Sequence, residues 1–131
     1  MDSRMIDLPG SGVAQVARDG ERVRLRFAPA YLIQSMTGSQ ERTRWRQEGE
    51  LVFENASVEG ELPACPGVLS GGDIRDNVYT YRDMVPIPLE SRGDVGCALT
   101  FEDGGRIVIR GESMRLQLEG DPKYIEHIRP G

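Results

Sequence analysis

Strict alternation of apolar and charged side chains is the feature that most limits what this chain can fold into. Val23, Leu25 and Phe27 alternate with Arg22, Arg24 and Arg26, the rhythm of a pleated strand with one buried and one wet face. Asp19-Gly20 stands just before this run, and both residue types tolerate positive φ, so a two-residue hairpin turn is expected there. That turn sets Val16 opposite Val23 and Ala14 opposite Leu25, carrying the apolar face across the pair.

The C-terminal half repeats the rhythm. Val95, Cys97, Leu99 and Phe101 alternate with Gly96, Ala98, Thr100 and Glu102. A three-residue turn at Asp103-Gly104-Gly105 predicts Phe101 opposite Ile107, Leu99 opposite Ile109 and Glu102 beside Arg106. A further turn at Gly111-Glu112 predicts Ile109 against Met114 and Ile107 against Leu116. A one-residue slip would move the whole apolar set into water, so the register is strongly specified.

Between these halves the pattern is less regular. Ala30 to Met36 continues or follows the first hairpin and ends near Thr37-Gly38-Ser39-Gln40. Trp45 lies in an arginine-rich stretch, after which Leu51 and Phe53 alternate; Ala56 and Val58 then fall in a shifted phase, which a bulge or bend near Asn55 explains. Pro63 to Gly72 reads as a loop, with Gly71-Gly72-Asp73 a turn. Ile74 to Tyr81 reads as a strand with Tyr79 and Tyr81 on one face. In Met84–Leu89, Pro86 and Pro88 remove two amide donors from one side of an extended segment, the mark of an edge strand or seam. The one helix signal is Asp121-Pro122, an N-cap and first-turn pair opening a short helical turn over Lys123 to Ile128, with Tyr124 and Ile128 capping the sheet. About seven to nine short strands with tight turns describe an all-β, antiparallel sandwich or partly open barrel. At 131 residues the chain (1–131) fits a single β domain.

Composition narrows the chemistry. A formal net charge of −5 opposes a general grip on phosphate backbones, so nucleic acid is not the expected partner. There is no secretory signal and no apolar run long enough to span a membrane, so a cytoplasmic chain with reduced thiols is expected. Cys97 sits in the alternating pattern and reads as a buried, inert thiol; Cys65 lies in a loop, without neighbours in sequence that would lower its pKa. The single histidine, His127, lies near the end of the chain and reads as exposed or capping, and no H-x-H or C-x-x-C spacing offers a metal site. Gly10-Ser11-Gly12 precedes a strand, whereas phosphate-binding glycine loops follow one. Asp73, Asp76 and Asn77 lack the spacing of a calcium loop. Asp73 and Asp83 form a conceivable acid–base pair without a spacing rule to bring them together. No cofactor is expected.

One cluster invites a binding reading. Arg22, Arg24 and Arg26 project from one strand face, and Arg42, Arg44 and Arg46 alternate around Trp45. Paired, these segments offer an anion or partner surface at Arg22, Arg24, Arg26, Arg44, Trp45 and Arg46, against which stand the nearby acids Glu48, Glu50, Glu54, Glu59 and Glu61. The expectation is a non-enzymatic binding or assembly domain acting on a protein partner or as a homodimer. A small apolar or anionic ligand at the mouth of the barrel is the alternative, and a carboxylate-based enzyme a second alternative.

Overall fold

Val23, Leu25 and Phe27 have no solvent exposure, and the strand that carries them runs well beyond the alternation that marks it. The computed structural model describes residues 3–129, and ten strands follow one another along them. They are β1 (Ser3–Asp7), β2 (Gly12–Asp19), β3 (Arg22–Ser35), β4 (Arg42–Glu54), β5 (Ser57–Glu59), β6 (Gly67–Asp76), β7 (Tyr79–Arg82), β8 (Met84–Ile87), β9 (Glu90–Phe101) and β10 (Arg106–Ile128). The fold is all-β, and every strand pairing is antiparallel.

One sheet runs in the order β2-β6-β9-β10-β4-β3-β1-β8, with β5 beside β10 and β7 beside β6. Because β2 also pairs with β3, six strands close into a ring around the main core. Closure is short: β2 pairs with β6 at Gly12↔Val68 and Val13↔Gly67, and just before β2 the Gly10 amide donates to Leu69 O at 2.8 Å and the Leu69 amide to Ser11 O at 2.9 Å. The result is a barrel with a short seam. Leu25, Phe27, Leu51, Phe53, Leu69, Leu99, Ile107 and Ile109 are sealed inside it. Burying each such side chain contributes roughly 1.5–3 kcal/mol.

The halves of β3, β4 and β10 distant from this barrel extend past it and pair with β1 and β8 as a flared, five-stranded end. The change from barrel to flare falls at one level. β3 shifts register between Phe27 and Ala30, and β10 between Glu119 and Lys123. Gln47 of β4 lies there, 8% exposed; its Nε2 donates to Glu119 O at 3.3 Å and Gly120 O at 2.8 Å. One buried amide thus satisfies carbonyls that the bulge takes out of the ladder.

Several expectations are corrected. The helical turn at Asp121–Ile128 does not form: Lys123 to Ile128 pair with Arg42 to Arg46 as the last part of β10. A single helical turn must meet the cost of nucleation almost alone, whereas strand pairing adds hydrogen bonds along a partner already in place. Asp121-Pro122 instead marks the bulge, and Tyr124, 55% exposed, caps nothing. Gly111-Glu112 is likewise no turn but a register shift within continuous β10, so Ile109 faces Cys97 of β9, not Met114. The strand count is ten rather than seven to nine.

Of the three hairpins expected, the first and the β9–β10 hairpin exist, each displaced by one residue. The first turn sits at Gly20-Glu21 with Gly20 at φ 62°, placing Val16 opposite Leu25. The β9–β10 loop is Glu102-Asp103-Gly104, because the Phe101 amide donates to Gly105 O at 2.8 Å; Ile107 therefore faces Leu99, and Arg106 pairs with Thr100 rather than lying beside Glu102. Each displacement changes the partner by two residues, an even step that leaves the apolar face inward. Of the Pro63–Gly72 loop, Gly67 onward belongs to β6, where Gly71-Gly72-Asp73 lies in the strand after a register shift. Asn55, at φ 48°, ends β4 and accounts for the phase change at Ala56 and Val58.

Tight curvature leaves no space for a side chain at some strand positions. A Cβ on Gly96 would lie 2.3 Å from Ile109 O, a backbone atom fixed in the neighbouring strand. We expect Gly96→Ala to lower stability by about 1–3 kcal/mol, the range for overpacking. Urea unfolding followed by Trp45 fluorescence reads this, and an unchanged midpoint would contradict the packing described.

Candidate functional site

Register across the flared end places Val85, Ile6, Leu32, Trp45 and Tyr124 in one cross-strand row over β8, β1, β3, β4 and β10. Val85, Ile6 and Leu32 are buried at 1%, 2% and 0% exposure, Trp45 is partly covered, and Tyr124 reaches 55%. An apolar row thus begins in the core and emerges at the edge of the sheet. Trp45 and Tyr124 meet edge to face, with centroids 5.3 Å apart and planes at 78°. Trp45 Nε1 donates to Thr43 Oγ1 at 2.8 Å, which fixes the indole.

That edge is unpaired. β10 pairs with β9 from Arg106 to Arg115, and the Leu116 amide donates to Leu89 O at 2.9 Å. From Gln117 to Ile128, β10 has β4 on one side and, among the described residues, no strand on the other. Pro122 and the bulge around it interrupt the first part of this edge, leaving Lys123–Ile128 as its regular stretch apart from a register shift at Ile125. Met36, Tyr124 and Ile125, at 55%, 55% and 39% exposure, bring three large exposed apolar side chains to this end of the molecule.

The arginines singled out from sequence are not gathered here. β3 and β4 do pair, but Arg26 lies opposite Glu50 and Arg24 opposite Val52, while Arg44 lies opposite Ile33 and Arg46 opposite Tyr31. The two groups are therefore roughly 20 Å apart along the strands. Arg22 Nε bonds Glu54 at 2.7 Å, and Arg44 Nη1 bonds Asp7 at 3.0 Å with its guanidinium 4.6 Å above the Tyr31 ring. Trp45 faces the side of β4 opposite to Arg44 and Arg46, since neighbouring residues in a strand alternate faces. Arg46 borders a charged depression with Lys123, Glu48, Glu119 and Asp121.

The other candidate groups are held separately. Asp73 accepts from Arg82 Nε at 3.0 Å, whereas Asp83 Oδ1 accepts from the Gly72 amide at 3.0 Å. His127 Nε2 lies 2.9 Å from Glu41 Oε2 on the exposed flare. Both cysteines are free. Burial pushes the Cys97 thiol up to about 12, opposed by a weaker backbone hydrogen bond at Ile109, and partial burial raises the Cys65 thiol as well. Neither thiol is primed as a nucleophile. Among the described residues no three His, Cys, Asp or Glu side chains gather as a metal site, and no helix is long and apolar enough to cross a membrane.

Sequence reasoning did not single out the Tyr124–Ile125 edge. The alternation within Lys123–Ile128 is broken by the shift at Ile125, and the helix signal before it pointed elsewhere. A run of exposed apolar residues near Trp45 would have been the signal, but it needs the β4–β10 register to be seen. No protein-family model, curated protein or solved structure matches the chain.

Arg26 also ties the barrel to the bulge below this edge. Its Nη1 and Nη2 donate to Glu119 Oε2 and Oε1 at 2.9 and 2.8 Å, a bidentate pair. That hydrogen bonding lowers the Glu119 carboxyl below its ordinary value and raises the Arg26 guanidinium further. For a lowered carboxyl, the stabilisation is fully present above the unfolded-state value and is lost as pH falls through the folded-state value. Glu119→Gln should therefore be less stable than the native chain at pH 7, with the difference closing in acid below Glu119's lowered value. Urea midpoints of both proteins from pH 7 down to pH 3 test this; a gap that stays constant would rule the pair out as its cause.

Proposed function

We propose that this domain is a non-enzymatic assembly module that associates with a second copy of itself through the free edge of β10. The observation that carries this reading is the unpaired Lys123–Ile128 edge at the end of an apolar row that leads out of the core. Unsatisfied backbone donors and acceptors beside Trp45, Tyr124 and Ile125 favour strand addition, in which the backbone supplies affinity and the side chains supply fit.

A second copy fits the chemistry of this edge for a reason of symmetry. Two antiparallel copies related by a two-fold axis near Tyr124 and Ile125 bring Lys123 of each beside Glu126 of the other. The register with β4 puts Lys123 opposite Arg46 and Glu126 opposite Arg44, so both side chains lie on the same face. Opposite charges facing across strands support pairing, and like charges oppose it. Among the strands paired on one side only, β8 is a poorer edge, because Pro86 within it and Pro88 just after it supply no amide hydrogens.

Light scattering coupled to size exclusion tests the reading over a hundredfold range of concentration. The native chain should run as a dimer, Lys123→Glu as a monomer, and the double exchange Lys123→Glu with Glu126→Lys as a dimer again. A native chain that stays monomeric at every concentration, or a single exchange that leaves the dimer intact, would overturn it.

A further inference from the structure

The gap between β8 and the free part of β10 forms a groove of about 300 Å³ on the inner side of the flare. Ile87 and Pro88 make one wall, Leu116 and Leu118 the other, and Arg4 stands at the rim. The groove exists because β8 and β10 approach without pairing. The Leu116 amide reaches Leu89 O, where the chain passes into β9, and beyond that point no ladder forms. With Pro86 and Pro88 lacking amide hydrogens, β8 cannot complete one along its outer side.

Arg4 is the unusual member. Three arginines of the chain are partly buried: Arg4, Arg26 and Arg44. Arg26 is held by Glu119 and Arg44 by Asp7. Arg4 has no carboxylate within ion-pair distance among the described residues. Its Nη2 makes a long 3.4 Å hydrogen bond to Gln47 Oε1, a neutral amide already anchored to the β10 bulge. A partly buried guanidinium without a carboxylate favours an anion, and its planar fork matches a carboxylate through two parallel hydrogen bonds. Gln47 aims the side chain without neutralising it.

We infer that this groove binds a free aliphatic monocarboxylate, with the carboxylate on Arg4 and the hydrocarbon tail between Ile87, Pro88, Leu116 and Leu118. Apolar walls reward the tail, and the one cation at the rim rewards one negative charge. An inorganic phosphate lacks the tail, and an alcohol of the same length lacks the charge. Burial of each methylene tightens binding by up to about fourfold, less where the groove stays open to water. The site lies apart from Lys123–Ile128, so it stands or falls independently of self-association.

Titration of the full chain with octanoate at pH 7, followed in ¹H–¹⁵N spectra, tests this. Saturable shifts at Ile87, Leu116 and Leu118 are expected, with hexanoate several-fold weaker. Octanol and acetate should each bind at least tenfold more weakly than octanoate. Arg4→Gln should lose at least tenfold in affinity while Arg4→Lys keeps part of it. Shifts confined to other residues, no saturation, or octanol matching octanoate would overturn the proposal. The comparison of ligands on the native chain decides the matter even if an Arg4 variant does not fold.

Discussion

The pairing of β4 with β10 is the interaction on which the rest of the molecule depends. It runs from Ser113↔Glu54 in the barrel to Ile128↔Arg42 at the far end of the flare. Within the barrel it joins the N-terminal hairpin strands to the β6–β9 side, so the closed core exists only when this ladder forms. Past the bulge it holds Trp45 against Tyr124. Its contacts are far apart in sequence, and their loop-closure entropy must be met before the ladder gives any return. Fold and candidate edge therefore share one source of stability.

Where the barrel gives way to the flare, polar groups are accounted for with few residues. Gln47 satisfies Glu119 O and Gly120 O while buried, and Arg26 grips the Glu119 side chain from β3. Arg4 reaches the same Gln47 from β1. Two neighbouring strands thus meet β10 at its bulge, which fixes how the last third of β10 leaves the barrel. That angle decides whether its outer edge is covered. Because β8 carries Pro86, stops at Ile87 and is followed by Pro88, it does not cover it.

The inward residues were legible because burial and strand geometry obey the same period. Leu25, Leu99, Phe101, Ile107 and Ile109 are all in the core that their alternation marked. Cys97 was legible in the same way, and so was the edge position of the Met84–Leu89 segment. The exact partners were not, since both hairpin loops moved by one residue while keeping the same faces inward. Local turn preferences at Asp19-Gly20 and Asp103-Gly104-Gly105 differ little between adjacent settings, and the packing of the whole ring chose between them. Gly111-Glu112 and Asp121-Pro122 misled for a related reason. Each is a good local signal for a reversal or a helix start, yet each also suits a bulge inside a long strand.

For the surface, the lesson is about register. Arg22, Arg24, Arg26, Arg44, Trp45 and Arg46 sit on paired strands, as their spacing allowed, but pairing set the first three against Glu50, Val52 and Glu54 rather than against the others. The sequence alone determined an all-β chain whose apolar side chains share one interior, because a period of two admits no other way to bury them together. Tertiary structure decided which strands are neighbours, where β10 runs unpaired and which of the three partly buried arginines has no carboxylate partner among the described residues. Those outcomes depend on contacts between residues distant along the chain, and no local pattern encodes their distances.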